Sequence, residues 1–164
     1  MTSAFLIQYH YTLKKMNKDT PLHILLADDD EHDRELFKEA FDELEMKPVV
    51  EMVNDGQQLM KYLTKEGARL PNLIFLDLNM PRKNGMECLK EIRSIKKLKD
   101  ISIAIYSTYA SEKDINDAFL NGANIYVRKP NDFNTLKQLL AKAVITTHLY
   151  QAPPFNTANF LLRL

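Results

Sequence analysis

Five times along this chain a short, nearly unbroken apolar run gives way to a stretch in which apolar residues return every three or four positions. The runs are "LHILLAD" (22–28), "KPVVEMVN" (47–54), "NLIFLDL" (72–78), "ISIAIYS" (101–107) and "NIYVRKP" (124–130). Runs of this length without strict alternation suit strands buried on both faces, which is the signature of a parallel sheet covered by helices. The intervening segments supply those helices. Leu36, Phe37, Ala40, Phe41 and Leu44 mark one stripe, and Leu59, Met60, Tyr62 and Leu63 a second that stops at Gly67. Met86, Leu89, Ile92 and Ile95 mark the third; "SEKD" (111–114) fits a capping box ahead of Ile115, Ala118 and Phe119, with Gly122 closing that helix. Asn131 or Asp132 caps the last, whose stripe is Phe133, Leu136, Leu139, Leu140 and Ala143. Because parallel crossovers are right-handed, few arrangements of five such units remain, and the expected fold is α/β, a doubly wound five-stranded parallel sheet in the order 2-1-3-4-5.

The 164 residues fit one domain, and 45% apolar content is enough for its core. Lysine plus arginine number 22 and so do aspartate plus glutamate, which removes any global attraction to nucleic acid or an anionic membrane. The single Cys88 has no internal partner and falls on an apolar helix position, so it reads as a buried, inert thiol. The lysines of the first twenty residues follow a short apolar cluster, the wrong order for a secretory signal, and no apolar run approaches the ~18 residues of a membrane span. The expectation is a cytoplasmic protein. Residues 1–20 read as an arm or an over-long start, with disorder as the default, and 21–146 as the domain. In 147–164, Pro153-Pro154 breaks any helix while Leu149, Tyr150, Phe155, Phe160, Leu161 and Leu162 need cover. That tail either folds back on its own domain or packs on a second copy as a dimer arm, and the second option is slightly preferred.

Open parallel sheets bind ligands beyond the carboxyl ends of their strands, where the strand order reverses. Asp28 and Asp29 end the first strand and Asp77 the third, and in this order those strands are neighbours. Carboxylates brought so close repel unless a cation sits among them, and a hard divalent ion, Mg²⁺, fits an all-oxygen set. Asp29, Asp77 and the main-chain carbonyl of Asn79 are the expected ligands, with Asp28 acting through water. Ser107 ends the fourth strand and Lys129 the fifth, adding a hydroxyl and a mobile ammonium to the same rim. Taken singly each has a plainer reading: an acidic helix start for Asp28-Asp29-Asp30, a strand-end hydroxyl, a solvated lysine, and a core ring for Tyr126. Asp30 is left as a helix-start acid. The coincidence of the others at four strand ends points to phosphate handling.

The segments "LLADD" (25–29), "FLDLNMPRKNG" (75–85), "IYST" (105–108) and "YVRKP" (126–130) together resemble the receiver domain of two-component response regulators, a flavodoxin-like fold, over about residues 22–145. The resemblance implies that Asp77 accepts a phosphoryl group, with Mg²⁺, from a histidine kinase or histidine phosphotransfer protein. It further implies that Lys129 and Ser107 contact the phosphoryl oxygens, and that Tyr126 switches from an exposed to a buried rotamer as Ser107 moves. The remodelled surface is the one formed by the fourth helix, fifth strand and fifth helix of the repeating units. A cis Lys129–Pro130 bond is also implied. Ser107 stands where threonine is commoner, and Asn79 and Tyr109 occupy positions that tune water's access to the phosphoryl group. "STYAS" (107–111), "KPNDFNTL" (129–136) and the apolar tail look like the small regulators that accompany phytochrome-type histidine kinases. The implied protein is a phosphoacceptor, not a turnover enzyme, with only slow self-catalysed dephosphorylation, and a downstream protein as its target. With about twenty residues after the last helix, no DNA-binding module is expected to follow it. Two competing readings are a receiver-like docking scaffold and an aspartyl-phosphate phosphohydrolase; the second wants an aspartate two residues after the nucleophile, where Asn79 stands.

Overall fold

The structure is a computed structural model that describes residues 3–16, 21–149 and 159–164. After a leading helix α1 (Ser3–Met16) come β1 (His23–Ala27), α2 (Glu31–Glu43), β2 (Val49–Val53), α3 (Gly56–Thr64) and β3 (Leu73–Leu76). Then follow α4 (Gly85–Ser94), β4 (Ser102–Ser107), α5 (Glu112–Leu120), β5 (Ile125–Arg128) and α6 (Phe133–Leu149). The strands form one parallel sheet in the order β2-β1-β3-β4-β5, as the apolar runs require. β1 and β3 are buried at every position. Successive strand side chains enter opposite layers. Ile24, Leu26, Phe75 and Val127 meet Phe37 and Phe41 of α2 and Leu136 and Leu140 of α6. Leu25, Ile74, Leu76 and Ile105 meet Leu59 and Leu63 of α3, Leu89 and Ile92 of α4 and Ala118 of α5.

Local chemistry sets the helix ends. Asp30, Asp55 and Ser111 accept from the N–H groups of Asp33, Gln58 and Asp114 and so cap α2, α3 and α5. At the expected 111–114 cap the Asp114 carboxylate returns to the Ser111 hydroxyl at 2.6 Å, a variant of the reciprocal box. Asp132 accepts from Thr135 N–H at 2.9 Å, which decides the Asn131-or-Asp132 choice for α6. A full capping box that the sequence reading missed joins Asn84 and Glu87 at the start of α4. Gly122, at φ 88°, follows α5 as expected. Cys88 is fully buried, and burial pushes its thiol up to about 11, so it is inert at neutral pH.

At both ends the described residues take defined positions. The first segment is not an unstructured arm: 3–16 is helical and packs on α6, with Tyr9 set against the core between α2 and α6. Residues 159–164 lie on the chain's own sheet. Tyr126 N–H donates to Phe160 C=O and Leu162 N–H to Tyr126 C=O, both at 2.8 Å, so that Leu161 pairs in parallel with Tyr126 along the outer edge of β5. Phe160 is fully buried, its ring 5.5 Å from Phe119 and 6.1 Å from Tyr126, while Leu162 enters the layer under α6. Tyr150, the Pro153-Pro154 break and Phe155 lie outside the described residues. Among the described residues no helix is long and apolar enough to cross a membrane.

Candidate functional site

Asp28, Asp29, Asp77 and Lys129 meet in one crevice, because the backbone ladder continues one step past the strands. Asp77 N–H donates to Ala27 C=O at 2.9 Å, Asp28 N–H to Val53 C=O at 3.1 Å, and Lys129 N–H to Ser107 C=O at 2.9 Å. Asp28, Asp29 and Asp77 each offer a carboxylate oxygen within 4.8 Å of the others; Asp28 and Asp77 are buried and Asp29 is exposed. Asp28 Oδ1 accepts from Asp30 N–H at 3.0 Å and Asp77 Oδ1 from Asn79 N–H at 3.1 Å, tight turns that fix both carboxylates. Arg34 holds the Asp28 carbonyl at 2.9 Å from the first turn of α2.

Lys129 Nζ reaches into this crevice and lies 2.7 Å from Asp28, 2.8 Å from Asp33 and 3.2 Å from Asp77. It also sits 5.2 Å from the centroid of the Tyr106 ring, over the aromatic cluster of Phe37, Phe41, Phe75 and Tyr106. The Lys129–Pro130 bond is trans, which corrects the cis expectation: no cis bond occurs among the described residues, and the trans chain already brings the ammonium to all three carboxylates. Burial works against the lysine's charge, but Asp28 and Asp33 outweigh it and hold the ammonium protonated above its ordinary range. Burial lifts Asp28 to about 6 against the pull of Lys129, and lifts Asp77 above the usual carboxylate range for the same reason.

Ser107 is fully buried; its hydroxyl lies by the Tyr126 phenol, on which it acts to lower the pKa, without a hydrogen bond of good geometry. A buried hydroxyl without a well-formed hydrogen bond is costly, and at the end of β4, next to the β3 end that carries Asp77, it suits a ligand oxygen. Tyr126 is buried too, with its hydroxyl donating to Tyr109 C=O at 2.7 Å; burial, then the charge of Asp114, push its phenol up to about 12. The Tyr109 side chain is 68% exposed. Asp30 caps α2 and does not enter the crevice set, as its reading as a helix-start acid holds.

The loop from Asp77 into α4 is tied from several sides. Gly85 N–H donates to Leu78 C=O at 3.0 Å, and a Cβ at Gly85 would fall 2.1 Å from the Asp77 carbonyl oxygen, so only glycine permits this approach. Arg82, at φ 65°, pairs with the buried carboxylate of Asp55 at 2.7 Å and pins the loop to the start of α3. Asp33 and Arg82 were missed in the sequence. Asp33 lies in the first turn of α2, capped by Asp30, where the plainer reading of acids at a helix start absorbed its signal.

The acidic set, with a hydroxyl waiting at a neighbouring strand end, suits a divalent cation and an oxyanion together. The sequence profile of the "Response regulator receiver domain" matches residues 24–141. A probable methanogenesis regulatory protein, FilR2, of Methanothrix harundinacea is 31% identical over 75% of this chain and 81% of its own. Response regulator Rcp1 of Synechocystis is 31% identical over 73% of this chain and 84% of its own. The Mn²⁺-bound structure of Rcp1 superposes with a TM-score of 0.69 at 29% identity, over 80% of this chain and 97% of that one. The phosphorylated cyanobacterial phytochrome response regulator RcpA gives a TM-score of 0.72 at 35% identity, over 81% of this chain and 97% of that one. With its sheet order, its strand-end carboxylates and these similarities, the chain belongs to the response regulator receiver domain family of two-component systems.

Proposed function

We propose that this protein is a phosphoacceptor of a two-component phosphorelay, taking a phosphoryl group onto Asp77 from a histidine kinase or histidine phosphotransfer protein. The observation that carries this reading is the convergence of the Asp28, Asp29 and Asp77 carboxylates with the Lys129 ammonium beyond the strand ends, with the buried Ser107 at the end of the neighbouring β4. In the transfer, a carboxylate oxygen of Asp77 forms a bond to phosphorus as the phosphorus–nitrogen bond to the donor imidazole breaks, and the imidazole leaves with its electron pair. Little covalent help is needed in such a reaction, so the pocket positions and neutralises. Asp29, Asp77 and the Asn79 carbonyl would hold Mg²⁺, with Asp28 acting through water. Bound there, the ion would neutralise charge on the phosphoryl oxygens. Lys129 takes a second oxygen as a point charge, and Ser107 donates a hydrogen bond to a third.

The readout surface on this reading is that of α5, β5 and α6, with Ser107 and Tyr126 as its switch pair. The inward position of Tyr126, bonded to Tyr109, is the buried rotamer of that pair. A cytoplasmic setting, a downstream protein contact and a phytochrome-type histidine kinase as donor, suggested by the similarity to the phytochrome response regulator RcpA, belong to the same proposal, as does its standing as a phosphoacceptor with slow hydrolysis rather than a turnover enzyme.

The test is intact mass after incubation with acetyl phosphate and Mg²⁺. One phosphoryl group should be gained by the wild type and by neither Asp77→Asn nor an EDTA control. No gain, and no transfer from any histidine kinase of the source organism, would favour the docking-scaffold reading instead.

A further inference from the structure

Lys129 has three carboxylate partners, and only two of them belong to the trio that can share a divalent cation. Asp28, Asp29 and Asp77 converge within 4.8 Å; Asp33 is outside that group, yet its Oδ2 is 2.8 Å from Lys129 Nζ, closer than Asp77 at 3.2 Å. The ammonium is 9% exposed and its Asp33 partner 30%, so this is a largely buried ion pair rather than a surface one. A divalent ion in the crevice draws on Asp28 and Asp77 and repels the ammonium that now leans on them. Asp33 is then the one carboxylate still free to hold Lys129.

We propose that Asp33 is a positioning residue: it retains the Lys129 ammonium at the rim of the crevice when a divalent cation enters, so that cation and lysine occupy the site together. The proposal rests on the phosphoacceptor reading and deepens it. Asp33 has the right placement because α2 begins at Glu31, capped by Asp30, which fixes the first turn against the strand ends. Without Asp33, Lys129 would settle on Asp28 and Asp77 alone and compete with the cation for them.

The experiment is a Mn²⁺ titration followed by electron paramagnetic resonance, on the full chain, for wild type, Asp33→Asn, Asp33→Glu, Lys129→Met and Asp33→Asn/Lys129→Met. Asp33→Asn should weaken Mn²⁺ binding by roughly fivefold, and Asp33→Glu should recover most of that. In the Lys129→Met background, removing Asp33 should change binding little, because there is no ammonium left to hold. A merely structural role for Asp33 at the start of α2 would lower the melting temperature without this dependence on Lys129. An unchanged dissociation constant in Asp33→Asn, or an equal loss with and without Lys129, would overturn the positioning role and leave the phosphoacceptor reading standing. Failure of the wild type to bind Mn²⁺ would overturn both.

Discussion

Asp28 is the residue whose environment costs the fold most directly, since its carboxylate is fully buried and only partly compensated by Lys129. Burial raises it from 3.8 to about 6, so between those values the folded chain holds a proton that the unfolded chain has lost. By linkage the contribution of Asp28 to stability is fully present below pH 4, declines as the pH rises to 6, and is constant above, a change of at most ~3 kcal/mol. In EDTA, the melting temperature of Asp28→Asn should therefore gain on the wild type from pH 4 to 6.5; circular dichroism melts that run parallel over this range would contradict it. Residues at this scale were legible where position alone determined them: Asp28, Asp29, Asp77, Ser107 and Lys129 all stand at strand ends that the apolar runs delimit. Asp33 was not legible, because its partner Lys129 is 96 residues away and an acid in a first helical turn already has a sufficient local explanation.

Among the elements, the β3–α4 connection carries the most constraint in the fewest residues. Its Gly85 backs directly onto the Asp77 carbonyl, so Gly85→Ala must displace the main chain of the candidate nucleophile. We expect a loss on the order of 2–4 kcal/mol in urea unfolding with an unchanged m-value. Asn84→Ala, which removes only the capping box, should cost ~1 kcal/mol and leave Mg²⁺-dependent labelling of Asp77 intact. At the opposite end of the sheet Arg93 of α4 donates to Gly122 C=O and Ile101 C=O at 2.8 Å and to Asn124 Oδ1 at 3.0 Å, stitching the loops that lead into β4 and β5. The five strand–helix units and their order could be read because burial on both faces leaves a period that composition cannot hide. The Asn84–Glu87 box was hidden inside "PRKNG", where proline, asparagine and glycine already spell a turn. The Arg93 contacts depend on carbonyls, which no side-chain pattern announces.

At the scale of the whole molecule, the two ends were the least legible parts. Apolar tail residues signal a need for burial but not whose surface supplies it, and α1 has no stripe complete enough to separate a docked helix from an arm. Docking in cis has a measurable signature. The amides of Tyr126 and Leu162 should show hydrogen-exchange protection that does not vary with protein concentration; protection that grows with concentration would mean the tail pairs between copies. Phe160→Ala empties a fully buried ring site and should cost about 3–5 kcal/mol, read as a lower melting temperature. The tail has one more consequence. With Leu161 bridged to Tyr126, the margin of β5 is covered at that point among the described residues, while that of β2, where Val49 is 40% and Met52 37% exposed, is the more open one. A ribbon with one free selvedge can be joined to another only once, back to back across a two-fold axis, and such growth ends at a pair. Peeling the tail away would give it two free margins, and with them the geometry of an endless stack.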